Sequence, residues 1–225
     1  MFVFNMLKGS RMKRFWIIRH GESSINAGEI SRSEQEVFLT RTGKQQANWI
    51  GTHFPHHPSK IFVSEFPRTH QTAEPLAQRF QLTLNVRPDL NEFNPLGLSA
   101  LAHMNGKQRA DAYEHFWQTT TPQTQIGADG ESFMHFYSRI NHFLSNLEQI
   151  PDQSVLFGHS IWIKVLAWKL LGFPAETRAH LPLLRRFQHA FPTPNCSVFQ
   201  ISVDQHAEIA IKSLPELTPP SAALF

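Results

Sequence analysis

Short apolar runs alternate with stretches of helical periodicity along this 225-residue chain. RFWII (14–18), KIFVS (60–64), LTLNV (82–86) and SVLFG (154–158) are rich in β-forming side chains and too short for helices, so they predict strands. Between them, LTRTGKQQANWIGTHF (39–54) offers Thr40 as a cap and places Ala47, Ile50 and Phe54 on one helical face. A second helix is predicted over 69–80 and a third over 131–149. In the third, Phe133, Phe136, Tyr137, Ile140, Phe143, Leu144 and Leu147 form an apolar stripe. SIWIKVLAWKLLG (160–172) predicts another helix, and CSVFQIS and AEIAIK close the pattern as strands. The span 87–130, with Pro88, Pro95, Gly97, Gly106 and Pro122, reads as loop around one helix near 107–118. Strands that take turns with helices predict an α/β fold: a three-layer sandwich with a largely parallel central sheet flanked by helices.

Composition narrows the class. At 41% hydrophobic and 17% charged residues, the chain is expected to form one folded domain over 14–213, with an N-terminal tail at 1–13 and a Pro-rich tail at 214–225. No apolar run approaches the roughly 18 residues of a membrane span. The first residues run apolar then basic, the reverse of a secretory signal. Cys196 is the lone cysteine, which rules out an intrachain disulfide and suits a reducing compartment, so a cytoplasmic protein is expected. The net charge of +3 is scattered, with small clusters at Lys8–Arg14 and Arg185–Arg186. No nucleic-acid-binding motif accompanies it, so the charge favours anionic small molecules rather than nucleic acid.

The chemistry gathers at three predicted strand ends: RHGES, SEFPR and FGHS. In open α/β sheets, ligands bind beyond the carboxyl ends of the strands. His20 alone would be an ordinary surface or core histidine. Beside it, Arg19 supplies a fork of donors suited to phosphate oxygens, and Gly21 would let the backbone approach a ligand closely. Arg68 and His159 arrive from the other two strand ends. Two arginines and two histidines on one rim make an anion site in which a neutral imidazole can act as nucleophile.

RHGESSIN resembles the RHG signature of the histidine phosphatase superfamily, which has the phosphoglycerate mutase-like fold. LTRTGKQQA (39–47), SEFPRTHQTAEPLA (64–77), LNEF (90–93), GES (130–132), VLFGHS and PNCSV (194–198) are similar to further family segments, in family order. The resemblance implies that His20 attacks phosphorus and becomes phosphohistidine. It implies that Arg19, Arg68 and His159 hold the phosphoryl oxygens, and that Glu92 protonates the leaving alkoxide and then activates water. Ser23, Asn26 and Ser160 would line the phosphate pocket. No metal or cofactor is implied, and the substrate would be a phosphorylated small molecule. Glu22, although adjacent to His20, is expected to be a loop residue rather than the acid. The chain departs from the family pattern in Ser160 after the second histidine, in Phe38 before Leu39, and in FNPLGL after Glu92. Glu92 to Gly130 spans only 38 positions, and the stretch before GES is the polar, neutral QTTTPQTQIGA. This resembles the phosphatase branch more than the mutases, which carry a long, basic, proline-rich insertion after the acid.

Three other readings compete. A cofactor-dependent mutase would use the same residues. GHSIW (158–162) has part of the Gly-x-Ser-x-Gly elbow of serine hydrolases, with Asp204 and His206 as triad partners, but Trp162 stands where a small residue is needed. A non-catalytic scaffold would be expected to lack one of the five charged groups. HFPHH (53–57) could suggest a metal site, yet it reads better as a loop.

Overall fold

The computed structural model describes residues 12–29, 31, 33–101, 103–104 and 106–220. Most of the tail expected at 1–13 therefore lies outside the described residues. The apolar runs form β1 (Lys13–Arg19), β2 (Ile61–Val63), β3 (Leu84–Val86) and β4 (Val155–Gly158), followed by β5 (Val198–Val203) and β6 (Ile209–Ser213). All six make one sheet in the order β3-β2-β4-β1-β5-β6. The first four strands in that order are parallel, while β5 runs antiparallel to both β1 and β6.

Strand periodicity divides the interior into two cores. Phe15, Ile17, Phe62, Leu156, Phe199 and Ile201 face one side; Trp16, Ile18, Ile61, Val63, Val155, Phe157 and Val198 face the other. Successive side chains point to opposite faces, so a strand buried on both must be apolar throughout. The second face is covered by α1 (Arg41–His53) and α2 (Pro67–Phe80), through Ile50, Ala73, Leu76 and Ala77. The first is covered by α4 (Gly106–Thr119), α5 (Phe133–Ser145), α6 (Ser160–Leu170) and α7 (His180–Ala190). A short helix, α3 (Leu98–Leu101), lies between Glu92 and α4. Each large side chain buried here contributes about 1.5–3 kcal/mol. The sheet rim thus stands on a rigid base.

Helix ends follow local chemistry. The Thr40 side chain accepts from Gly43 N and starts α1; Ser132 accepts from His135 N and starts α5. Pro67 occupies the first turn of α2, so that helix begins two residues before the expected 69. The expected helix 131–149 stops at Ser145 and continues as a 3-10 turn, Leu147–Gln149. Helix α7 was not anticipated; it buries Leu181, Leu184 and Gln188, and Phe187 packs partly buried against the first core. Leu214, assigned from sequence to the C-terminal tail, is buried in the second core, and Pro215–Leu217 form a 3-10 turn beside it.

Candidate active site

Register places the three strand ends side by side. Arg19 pairs with Gly158, and Val63 pairs with Phe157, so the residues that follow β1, β2 and β4 share one rim. There Arg19, His20, Ser23, Asn26, Arg68, Glu92 and Ser160 line a cavity of about 390 Å³. His159 caps α6 just behind it, its ring centroid 5.2 Å from that of His20. The eight site residues that the family resemblance implies are thus brought together at this rim.

His20 is buried, and its Nδ1 lies 2.7 Å from Gly21 O. A carbonyl only accepts, so Nδ1 carries the proton and Nε2 keeps its lone pair. Burial, with Arg68 and Arg19 nearby, holds the imidazole well below its usual pKa. His159 is lowered in the same way, by burial first and then by Arg68, His20 and Arg19. Its Nε2 bonds to Ser64 Oγ at 2.8 Å, while its buried Nδ1 has no partner among the described residues. Both pKa shifts favour the neutral imidazole.

Backbone and side chains from distant segments set these groups. Arg19 Nη1 donates to Thr193 O at 2.6 Å. Asn195 Nδ2 donates to His20 O and to Asn26 Oδ1, and Asn26 Oδ1 also accepts from Ser23 N and Oγ. Arg68 projects from the first turn of α2, stacked 4.7 Å over Phe66, and its Nη1 donates to Glu34 at 2.5 Å. Thr193, Asn195, Ser64 and Glu34 were not named from sequence. Their signal is weak because each acts through a partner far along the chain.

Glu92 meets the start of α6. Its Oε2 accepts from Ile161 N, and its Oε1 accepts from Trp162 N and Phe93 N, all at 3.0 Å. Burial raises the Glu92 pKa, and the three N–H groups and Arg68 pull against that rise. The rise therefore exists before any phosphate arrives. Glu22 has a different job: its Oε1 accepts from the Thr40 hydroxyl at 2.6 Å, which ties the loop to α1.

Gly21 and Gly43 explain the glycine of RHG. A Cβ on Gly21 would lie 2.7 Å from Gly43 O, and one on Gly43 would lie 2.0 Å from Glu22 O. The close approach that the structure shows is between the RHG loop and α1. Gly43→Ala should cost about 1–3 kcal/mol through overpacking. Thermal denaturation should show the midpoint fall by roughly 2–12 °C; an unmoved midpoint would mean that the backbone yields freely here.

Two rival arrangements lack their geometry. Ser160 Oγ is engaged with Thr193 Oγ1 at 2.6 Å. Asp204 and His206 sit in the β5–β6 turn, beyond Val203, which pairs with Lys13 at the opposite end of β1. No hydrolase triad can form. In HFPHH, His53 stacks on Trp49, His56 on Trp16, and His57 packs against Phe80, so the rings diverge. Among the described residues no three His, Cys, Asp or Glu side chains group as a metal-holding set.

The family model for the histidine phosphatase superfamily (branch 1) matches residues 15–212. The chain is 28% identical over 170 residues to the adenosylcobalamin/alpha-ribazole phosphatase of Salmonella typhimurium, covering 74% of this chain and 84% of that protein. It is 26% identical over 204 residues to a probable phosphoglycerate mutase, GpmB, of Escherichia fergusonii, covering 88% and 89%. Among solved structures, the alpha-ribazole phosphatase of Shigella flexneri shares the fold with a TM-score of 0.70 at 22% identity, over 92% of this chain and 98% of that one. A mycobacterial glucosyl-3-phosphoglycerate phosphatase does so with a TM-score of 0.65 at 21% identity, over 90% and 97%.

Proposed function

Because the chain belongs to the histidine phosphatase superfamily, we propose that it is a metal-independent phosphomonoester phosphatase working through a phosphohistidine. The observation that carries this reading is the His20 tautomer: Nδ1–H is held by Gly21 O, and the Nε2 lone pair is left for the cavity. In the first step the Nε2–P bond forms as the ester P–O bond breaks, and Glu92 gives its proton to the departing alkoxide. Arg19, Arg68 and His159 hold the three equatorial oxygens, which supplies the positioning and charge neutralisation that phosphoryl transfer requires. Ser23, Asn26 and Ser160 complete the pocket wall. Water then attacks phosphorus as the Nε2–P bond breaks, Glu92 takes the water's proton, and orthophosphate leaves with the His20 imidazole neutral again. The relatives named as phosphatases support hydrolysis, and one named as a mutase keeps phosphotransfer as the second reading.

The walls favour the first reading. Beyond the phosphoryl end, the cavity is lined by Ile25, Val37, Phe93, Leu101 and Tyr113. The further basic residue there, Arg109, has Nε and Nη2 committed to the Met104 and Leu101 carbonyls. A bisphosphate-using mutase needs a strong second anion site, which such a wall does not offer. With a panel of phosphomonoesters in EDTA, we expect orthophosphate release at the metal-free rate. Interconversion of 2- and 3-phosphoglycerate should be slight, even with added 2,3-bisphosphoglycerate. Interconversion without phosphate release would select the mutase, and a rate abolished by EDTA and restored by a divalent ion would overturn the metal-free mechanism.

A further inference from the structure

Besides Glu92 the cavity is lined by Glu29 and Glu34, and Glu34 is the one paired with Arg68. Glu34 opens a 3-10 turn (Glu34–Glu36) in the loop that leads from β1 to α1, and its Oε2 accepts from Arg68 Nη1 at 2.5 Å. The Arg68 side chain is 6% exposed and that of Glu34 is 20% exposed. The pair is inside the cavity that both line, so the contact occupies a donor of the very guanidinium assigned to phosphate.

Carboxylate and phosphoryl oxygens compete for the same planar fork. A dianionic phosphoryl group brought to Arg68 would face the Glu34 charge at close range, and two such anions repel. With the site empty, the same contact serves a purpose, because a nearly buried guanidinium without a partner is costly. Glu34 is exposed enough to have a route outward to water.

We propose that Glu34 is a resident anion that closes the Arg68 fork in the empty enzyme and is displaced by the incoming phosphoryl group, so that it sets how tightly the site holds phosphate. The proposal rests on the reading of Arg68 as a phosphoryl ligand. It gives the site a means of telling substrate from product. The alcohol part of a substrate can offset the displacement through contacts with Phe93, Leu101 and Tyr113, whereas orthophosphate brings no such contacts. Product therefore leaves readily.

The test is the orthophosphate Kd by calorimetry, together with KM, for Glu34→Gln and Glu34→Ala. Both variants should bind orthophosphate about tenfold more tightly, the penalty removed when the open fork is populated in roughly one molecule in ten. KM should fall with it, and kcat should not rise, since product is held longer. A Kd that is unchanged or weaker in both variants would overturn the proposal and make Glu34 a support for Arg68 instead. Arg68→Met is the control on the underlying reading. If it binds orthophosphate as tightly as the unaltered protein, Arg68 is not a phosphate ligand and the proposal falls with it. If the unaltered protein binds orthophosphate but hydrolyses no phosphomonoester, the phosphatase reading fails alone, and the calorimetry still decides the role of Glu34.

Discussion

Replacing His20 by alanine should lower turnover by roughly ten-thousand-fold or more, the scale at which loss of a nucleophile is felt. The variant should also lose the covalent phosphoenzyme. Rapid quenching with labelled substrate would trap in the unaltered protein a phosphorus–nitrogen bond that acid breaks and alkali spares. The same experiment on the alanine variant should trap nothing. Folding is the control: His20 is buried against His159, so its removal leaves a void, and a retained thermal transition separates lost chemistry from lost structure. A variant that kept near-normal turnover would end the phosphohistidine mechanism, whatever the family.

Glu92→Gln should have the next largest effect, and its size should depend on the substrate. A transferable proton matters most for a poor leaving group, so alkyl phosphates should lose about a hundred- to ten-thousand-fold. An activated aryl phosphate departs without that help and should suffer far less in the phosphorylation step. The pH profile provides a second readout. The lowered His20 pKa leaves the nucleophile neutral well into the acid range, so the acid limb of kcat/KM from this group lies below the usual histidine value. The raised Glu92 pKa keeps its proton to a higher pH than an ordinary carboxyl would, and activity should fall as pH rises through that value. In the glutamine variant this alkaline limb should vanish. Equal losses on both substrates, with phosphorylation limiting, would place the acid elsewhere.

The parts of this molecule that were readable from sequence are those encoded by neighbours. Phe15, Trp16, Ile17 and Ile18 announce a strand buried on both faces because no polar residue interrupts them. Arg19, His20, Arg68 and His159 could be gathered on one rim because parallel strands deliver their ends to the same edge. What escaped depends on meetings across the chain. Thr193 and Asn195 hold Arg19 and His20 from about 174 residues away, through contacts that no local pattern marks. Nothing local marks Glu34, and only the fold puts Arg68 beside it. The tight contact of Gly21 with Gly43 also escaped, because sequence places the two in different elements. Helix α7 was legible but missed, since Leu181, Leu184 and Phe187 recur at helical spacing.

The seat of Glu92 bears on more than its acidity. His159 is the first cap residue of α6, and the carboxylate of Glu92 fastens to the next turn of that same helix through Ile161 and Trp162. A histidine and an acid that come from separate strands are thereby mounted on one lever. Any tilt of α6 would carry both toward or away from His20 together, so their spacing survives motions that would disrupt groups anchored apart. The carboxylate also gains hydrogen bonds when it gives up its proton, because all three N–H groups favour the charged form. Burial and these donors therefore act as opposing springs, and a group balanced between them can release a proton in one half of a cycle and recover one in the other.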